Sequence, residues 1–460
     1  MEAEQEIQPA RFFEVRRYII LCLILLKYTN MGESDKNPKA WVVSVNMGYG
    51  HQRTAFPLRH LSMEGKAINA NDYSGIPFYD RIVWEGTRKV YEFISRLKGL
   101  FLVGELIFSF FNFFQKILNF YPRRNLSNPN FQLREIFSMI NVGWGRHLIK
   151  KLEKNSLPFV TTFSIPAFMA EHFQYPNDVY CVICDADIAR PWVAYNPFKS
   201  RIKYFAPNSR VVERLKMYGV KPANIFLTGY PLPLENIGGE EMEILKEDLG
   251  YRLLNLDPKR KFFQQYRALI EKNLGGLPQR PDHVLTIMFS LGGAGAQREI
   301  GLKILKEFSY KIKQGTLRLV LSVGINKKAK EFFLKKIKGL GLENEPNILV
   351  LYCPTIEEYF TEFNLQLRKT DILWTKPSEL SFYSGLGLPI IIAPPVGSQE
   401  DFNKRWLLKS GFGLAQENPS IINQWLFDWL ENGYLAEAAM EGFIECPKMG
   451  ALEIEKIISS

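Results

Sequence analysis

The chain has 460 residues, of which 46% are apolar and 23% charged. Those shares are ordinary for a globular chain and exclude wholesale disorder, collagen-like repeats and a polytopic membrane protein. Lys plus Arg number 58 against 48 Asp plus Glu, a formal charge of +10 that suits an anionic partner such as a phosphorylated ligand, an acidic lipid surface or nucleic acid. The length suits two or three domains and buries enough surface that disulfides or metals are not needed as staples.

The N-terminal stretch Tyr18–Leu26 is wholly apolar and follows Arg16-Arg17. It is far shorter than the ~20 residues of a membrane-spanning helix, and no small-residue cleavage site follows it. Two readings stand side by side. Residues 1–30 are an over-extended start with translation beginning at Met31, or they are a short membrane-surface anchor. Residues 1–40 are therefore set apart as an N-terminal extension.

From Trp41 onward, apolar runs of strand length alternate with helical patterns. The predicted strands are Trp41–Val45, Phe159–Phe163, Val179–Cys184, Ile202–Ala206, Ile225–Thr228, Val284–Phe289, Leu317–Val323, Ile348–Tyr352, Asp371–Trp374 and Pro389–Ala393. They are continuous rather than alternating, as in strands covered on both faces, so the expected class is α/β with parallel sheets. One group of strands ends near Thr228 and the other begins at Val284. The expected organisation is an N-terminal Rossmann-like domain over 41–233, a linker and helical insert over 234–280, a C-terminal Rossmann-like domain over 281–419 and closing helices over 420–460. Two doubly wound domains would face each other across a cleft, with ligands beyond the carboxyl ends of the strands.

Within the first domain, the segment 81–124 is apolar and basic. Its centre, Phe101–Phe120, reads FLVGELIFSFFNFFQKILNF. Such a helix is either a core or oligomer-interface element, or it meets lipid, and the flanking basic residues suit an anionic membrane surface. Cys181-x-x-Cys184 lies inside an apolar strand and reads as two reduced core thiols, which fits a cytoplasmic protein.

The first strand runs into Asn46-Met-Gly48-Tyr-Gly50-His51, where a helix begins. Glycine permits a tight turn and close approach to a ligand, and His51 at the rim can serve as a general base. Asp185-x-Asp187 follows the strand Val179–Cys184. Such a pair can hold a divalent metal beside a diphosphate, but the favoured reading is one carboxylate in the cleft and one solvated. Strand Val284–Phe289 opens into Ser290-Leu-Gly292-Gly293-Ala-Gly295-Ala296-Gln297, a phosphate cradle without the Gly-Lys-Ser/Thr end of a P-loop. Further on, Ser378 is a candidate helix N-cap. Glu379 is favoured by the dipole of that helix or accepts hydrogen bonds from a ribose. Gln399, Glu400, Asp401 and Asn403 cluster at a later strand end.

These residues resemble a known family. Gly48-Tyr-Gly50-His51-x-x-x-Ala55, the Gly292–Ala296 loop, Gly387-Leu-Pro389 and Gln399-Glu400-x-x-Asn403 are similar, in order and spacing, to the family 28 glycosyltransferases. That family includes the diacylglycerol glycosyltransferases and the lipid-linked N-acetylglucosaminyltransferase of peptidoglycan synthesis. The stretch from Asp178 to Pro233 also runs like the diacylglycerol enzymes. The resemblance covers roughly residues 41–60 and 159–415. It implies a GT-B fold, a UDP-sugar donor and inverting transfer to a hydroxyl with no cofactor and no metal.

The resemblance also implies roles. Gly292, Gly293, Gly295 and Ala296 would face the diphosphate. Gln399, Glu400 and Asn403 would face diphosphate or sugar, with Ser378 and Glu379 nearby on the nucleotide side. His51 would be the base, with Asp185 beside it and Gly48 and Gly50 in the acceptor-side loop. The implied setting is the inner face of the membrane, with a lipid acceptor or anionic surface met by Phe101–Phe120. Nucleic acid is not an expected partner, since no basic motif with interleaved aromatics lies on a recognisable module. The chain departs from the family where its ribose-binding glutamate usually stands, a position occupied here by Phe382. Residues 58–155 and the insert from Glu240 to Asn273 match no member. A same-fold nucleotide-sugar epimerase or hydrolase, and a non-catalytic nucleotide-binding module, are the alternatives.

Overall fold

The computed structural model describes residues 39–86, 117–292, 297–395 and 398–460. The N-terminal apolar stretch, Met31 and residues 101–116 of the phenylalanine-rich segment lie outside the described residues.

Two six-stranded sheets carry the molecule, and every strand pairing in both is parallel. The first has the order β2-β1-β3-β4-β5-β6, built from β1 (Trp41–Ser44), β2 (Ile68–Asn69), β3 (Phe159–Thr161), β4 (Val179–Val182), β5 (Lys203–Ala206) and β6 (Ile225–Leu227). The second has the order β12-β11-β10-β7-β8-β9, built from β7 (Leu285–Ser290), β8 (Leu317–Gly324), β9 (Ile348–Tyr352), β10 (Ile372–Thr375), β11 (Ile390–Ile392) and β12 (Gly413–Ala415). All ten predicted strands are present, and the α/β class with two doubly wound sheets holds. The apolar runs are continuous because helices cover both faces of each central strand. Val43, Phe159, Cys181, Ile287, Leu321 and Trp374 all belong to one extended core.

The order of each sheet reverses once, between β1 and β3 in the first and between β7 and β10 in the second. At such reversals the connections leave on opposite faces and a crevice opens beyond the strand ends. The loops after β1, β3, β7 and β10 are therefore the places to look for chemistry.

The helices Glu243–Leu256 and Lys261–Leu274 of the insert belong with the second sheet. Arg252 is buried and donates to the carbonyls of Leu367, Thr370, Leu386 and Gly387. The closing helices divide. Tyr434–Glu445 packs beside the second sheet, where Gly442 meets the backbone of Ser384 with no room for a side chain. The last helix, Gly450–Ser459, returns to the first sheet, where Ala451 and Ile454 join Val42, Val160, Tyr180, Val182 and Phe205 in one buried cluster. Its Glu455 pairs with Lys39 at 2.7 Å and His60 at 3.1 Å. The two segments that cross between the sheets lie side by side, joined by a bridge between Pro231 and Met449.

Among the described residues no helix is long and apolar enough to cross a membrane. The described end of the phenylalanine-rich segment is folded inward. Ile117 and Phe120 are buried, and the Arg210 guanidinium lies 3.7 Å from the Phe120 ring centroid. Cys181, Cys184, Cys353 and Cys446 are free and buried.

Candidate functional site

The loop after β1 turns through Gly48, whose φ of 99° is a conformation that L side chains rarely adopt, and enters the helix Tyr49–Ala55. Gly50 marks where this helix meets the second domain. A Cβ there would stand 3.4 Å from Oε2 of Glu379, which belongs to the other domain. The helix is thus pressed against the second sheet's loops.

His51 is half-buried on this helix. Its Nδ1 lies 2.8 Å from the carbonyl oxygen of Thr162, just beyond β3. A carbonyl only accepts, so Nδ1 carries the hydrogen and Nε2 keeps its lone pair. Phe163 flanks the ring at 4.7 Å between centroids, and Trp192 at 6.0 Å. Thr162 Oγ1 donates in turn to the carbonyl of His51 at 2.9 Å, which closes the clamp. Burial pushes the imidazole pKa down to about 4, against the opposing pull of the Thr162 carbonyl and Glu379. The ring is therefore neutral at physiological pH.

Asp185 follows β4 and reaches the same space. Burial, with the nearby Glu379 and Glu400 charges, pushes its carboxyl up to about 7, while Asn403 and Lys376 pull the other way. Asp187 corrects the expectation of a solvated partner. It is buried and takes Nε of Arg214 at 2.8 Å and Nε of Arg210 at 2.9 Å. Two arginines hold it away from the cleft, so the Asp-x-Asp spacing gives one cleft carboxylate rather than a pair.

On the second sheet, β7 ends at Ser290 and leads to Gly292. A Cβ on Gly292 would come within 2.7 Å of Cε of Lys376, so the bare Cα lets that lysine lie across the loop. Gly293, Gly295 and Ala296 lie outside the described residues. After β10, Ser378 precedes a 3₁₀ helix, Glu379–Leu386, and its hydroxyl makes no cap hydrogen bond. Ser378 thus stands at the N-cap position, as expected, without the side-chain bond of a cap. The Ser378 backbone instead closes a tight turn on the Lys376 carbonyl at 2.8 Å.

Glu379 faces the N-terminal domain, with Oε1 3.3 Å from Nε of Arg53. Glu400, on the helix Ser398–Lys409, is bonded to Nζ of Lys376. Gln399 is half-buried beside it. Asn403 is buried and spans the domains. Its Oδ1 accepts from the Ala186 backbone at 2.9 Å, and its Nδ2 lies 3.3 Å from the Pro377 carbonyl and 3.4 Å from Asp185.

The predicted residues His51, Asp185, Gly292, Glu379, Glu400 and Asn403 thus meet where the two reversal crevices face each other. Sequence reasoning missed Arg53 and Lys376. Each is defined by a carboxylate on another element, Arg53 by Glu379 and Lys376 by Glu400, so neither is marked by its immediate neighbours. One signal was legible. Tyr49, Arg53 and Phe56 fall on a single helical stripe, which puts a cation on a packing face.

Two facing doubly wound domains with ligand loops at their reversal points form a GT-B-type fold. Within that class the chain resembles the family 28 glycosyltransferases, at a distance. A processive diacylglycerol beta-glucosyltransferase of Bacillus subtilis (strain 168) is 26% identical over 238 residues, 51% of this chain and 50% of that protein. The chain therefore matches about half the length of that curated relative. The structure of MurG from Acinetobacter baumannii aligns over 92% of this chain and 99% of that one, with 12% identity and a TM-score of 0.44. A UDP-GlcNAc 2-epimerase from Neisseria meningitidis, bound to UDP-GlcNAc, aligns over 73% and 83% with 14% identity and a TM-score of 0.42. No protein-family model matches the chain.

Proposed function

We propose that the protein is an inverting glycosyltransferase that moves a sugar from a UDP-sugar to a hydroxyl acceptor. The observation that carries this reading is His51, a neutral imidazole whose Nδ1–H is fixed on the Thr162 carbonyl and whose Nε2 is left to accept a proton. In the step, Nε2 takes the acceptor's hydroxyl proton. The acceptor oxygen bonds to the anomeric carbon from the face opposite the nucleotide, and the bond from that carbon to the diphosphate oxygen breaks. UDP leaves with the electron pair. The donor would lie on the second domain, its diphosphate against the Gly292 loop and Lys376, where backbone N–H groups and an ammonium can meet the charge that develops. The curated relative's name supports a diacylglycerol-type lipid as the acceptor class to test first.

An epimerase or hydrolase reading has one observation in its favour, the convergence of Asp185, Glu379 and Glu400. Two of those three are held by cations, Glu379 by Arg53 and Glu400 by Lys376, which favours transfer.

The test is calorimetry with UDP against GDP, ADP and NAD without added metal, followed by product analysis of UDP-sugars with and without lipid acceptors. UDP-selective binding and acceptor-dependent release of UDP are expected. A sugar nucleotide converted without acceptor would establish the second reading, and no nucleotide binding would overturn both. His51→Ala should leave UDP affinity nearly intact and lower kcat by roughly 10²–10⁴-fold. Equal losses in affinity and rate would remove His51 from the base role.

A further inference from the structure

We propose that Arg53 is a positioning residue, a buried guanidinium latch that holds the His51-bearing helix in register with the donor-side domain. The latch stands on geometry. Only its kinetic consequence rests on the transferase reading.

The helix Tyr49–Ala55 is fastened on two sides. His51 and Thr54 stay with their own domain, His51 on the Thr162 carbonyl and Thr54 against the Tyr230 hydroxyl at 3.0 Å. Tyr49, Arg53 and Phe56, spaced i, i+4, i+7, reach into the other. The Tyr49 hydroxyl accepts from the Ile325 backbone at 3.1 Å, and the Phe56 ring meets Phe360 at 5.4 Å. Between them lies Arg53, 2% exposed, inside four rings of the second domain. Its Cζ is 4.3 Å from the centroid of Phe363, 4.6 Å from Phe360, 5.5 Å from Tyr359 and 5.8 Å from Tyr383.

An isolated cation in so apolar an enclosure is costly, so rings and carboxylate must hold it together. Glu379 supplies the opposite charge at 3.3 Å, but neither Nε nor Nη1 makes a hydrogen bond among the described residues, and Nη2 donates only a long one to the Tyr359 hydroxyl at 3.5 Å. The guanidinium is therefore held mainly by stacking, which a planar group does and an ammonium does less well. Separating the domains at this helix would draw that cation out of its cage. The same contact sets Glu379 against Gly50, one residue from His51.

The experiment compares the full-length wild type, Arg53→Met and Arg53→Lys by hydrogen–deuterium exchange without nucleotide, with circular dichroism as the check on folding. In folded Arg53→Met, amides of residues 49–56 and 356–367 are expected to exchange at least ~10-fold faster while the central strands of both sheets stay unchanged, with Arg53→Lys in between. With nucleotide, Arg53→Met should keep UDP affinity within about threefold and lose ~10²-fold in kcat, the cost of a misplaced reacting group, with partial recovery in Arg53→Lys. Should Arg53→Met fail to fold, Phe363→Leu keeps the cation, removes one stacking face and should show the same local pattern at smaller amplitude. Unchanged exchange in folded Arg53→Met, or in Phe363→Leu where it replaces it, overturns the latch. A wild type that neither binds UDP nor transfers sugar overturns the transferase reading alone, since the exchange measurement needs no ligand.

Discussion

At the scale of single residues, two groups in the crevice titrate away from their ordinary values, and in opposite senses. Burial lowers His51 to about 4 and raises Asp185 to about 7. A base must be unprotonated to act. The rate carried by His51 therefore rises with pH through about 4 and is flat at neutrality, while any contribution from Asp185 rises through about 7. A pH profile of kcat/KM should show both limbs in the wild type. Asp185→Asn should lose the upper inflection and keep the lower one. A variant profile that superimposes on the wild type would take Asp185 out of the chemistry. The sequence already nominated His51, Asp185, Glu379, Glu400 and Asn403, because small, polar and titratable residues at strand ends carry a local signature. Lys376 carries none, and Arg53 shows only its place on the stripe of Tyr49 and Phe56. Arg53 looks like a break in a glycine pattern until Glu379 and the rings of residues 359–363 are brought to it by the fold.

At the scale of elements, the ends of the strands opposite the crevice have their own electrostatics. His283 precedes β7, and each ring nitrogen faces a carboxylate, Nδ1 that of Asp282 and Nε2 that of Asp371 at 3.2 Å. Burial works against its charge, but the hydrogen bonds to Asp371 and Asp282 prevail and raise its pKa above the ordinary value. Because the folded value is the higher one, the clamp's stabilisation is full below about pH 6.5 and is lost as pH rises through the raised value. His283→Gln should cost about 2–4 kcal/mol at pH 6, since it removes the imidazolium hydrogen-bonded to the buried Asp371, and less at pH 9. Denaturant melts at both pH values check this, and an equal cost at each would refute the charged clamp. The strands themselves were legible from apolar runs alone. The two that were not, β2 and β12, are edge strands of two and three residues. An edge strand that short has no run to read, and β12 begins at Gly413, whose backbone lies too close to the Ile390 carbonyl for any side chain.

At the scale of the whole molecule, the first domain is completed by the last helix of the chain. Ala451 and Ile454 are fully buried against Val42, Val160 and Phe205. Ile454→Ala should therefore destabilise the N-terminal domain by about 2–4 kcal/mol, although it lies more than 400 positions from the strand it covers. A denaturation midpoint equal to wild type would show that this helix is not part of that core. The arrangement also bears on how the protein is made. During synthesis, β1 and β3 leave the ribosome long before residues 450–459 exist. The part of the first sheet's apolar face that Ala451 and Ile454 cover stays open for the whole interval, some 15–60 seconds for the intervening residues at ordinary elongation rates. The first half of the chain cannot finish folding as it emerges. Its completion waits on the second domain, which must deliver the closing helix to that face.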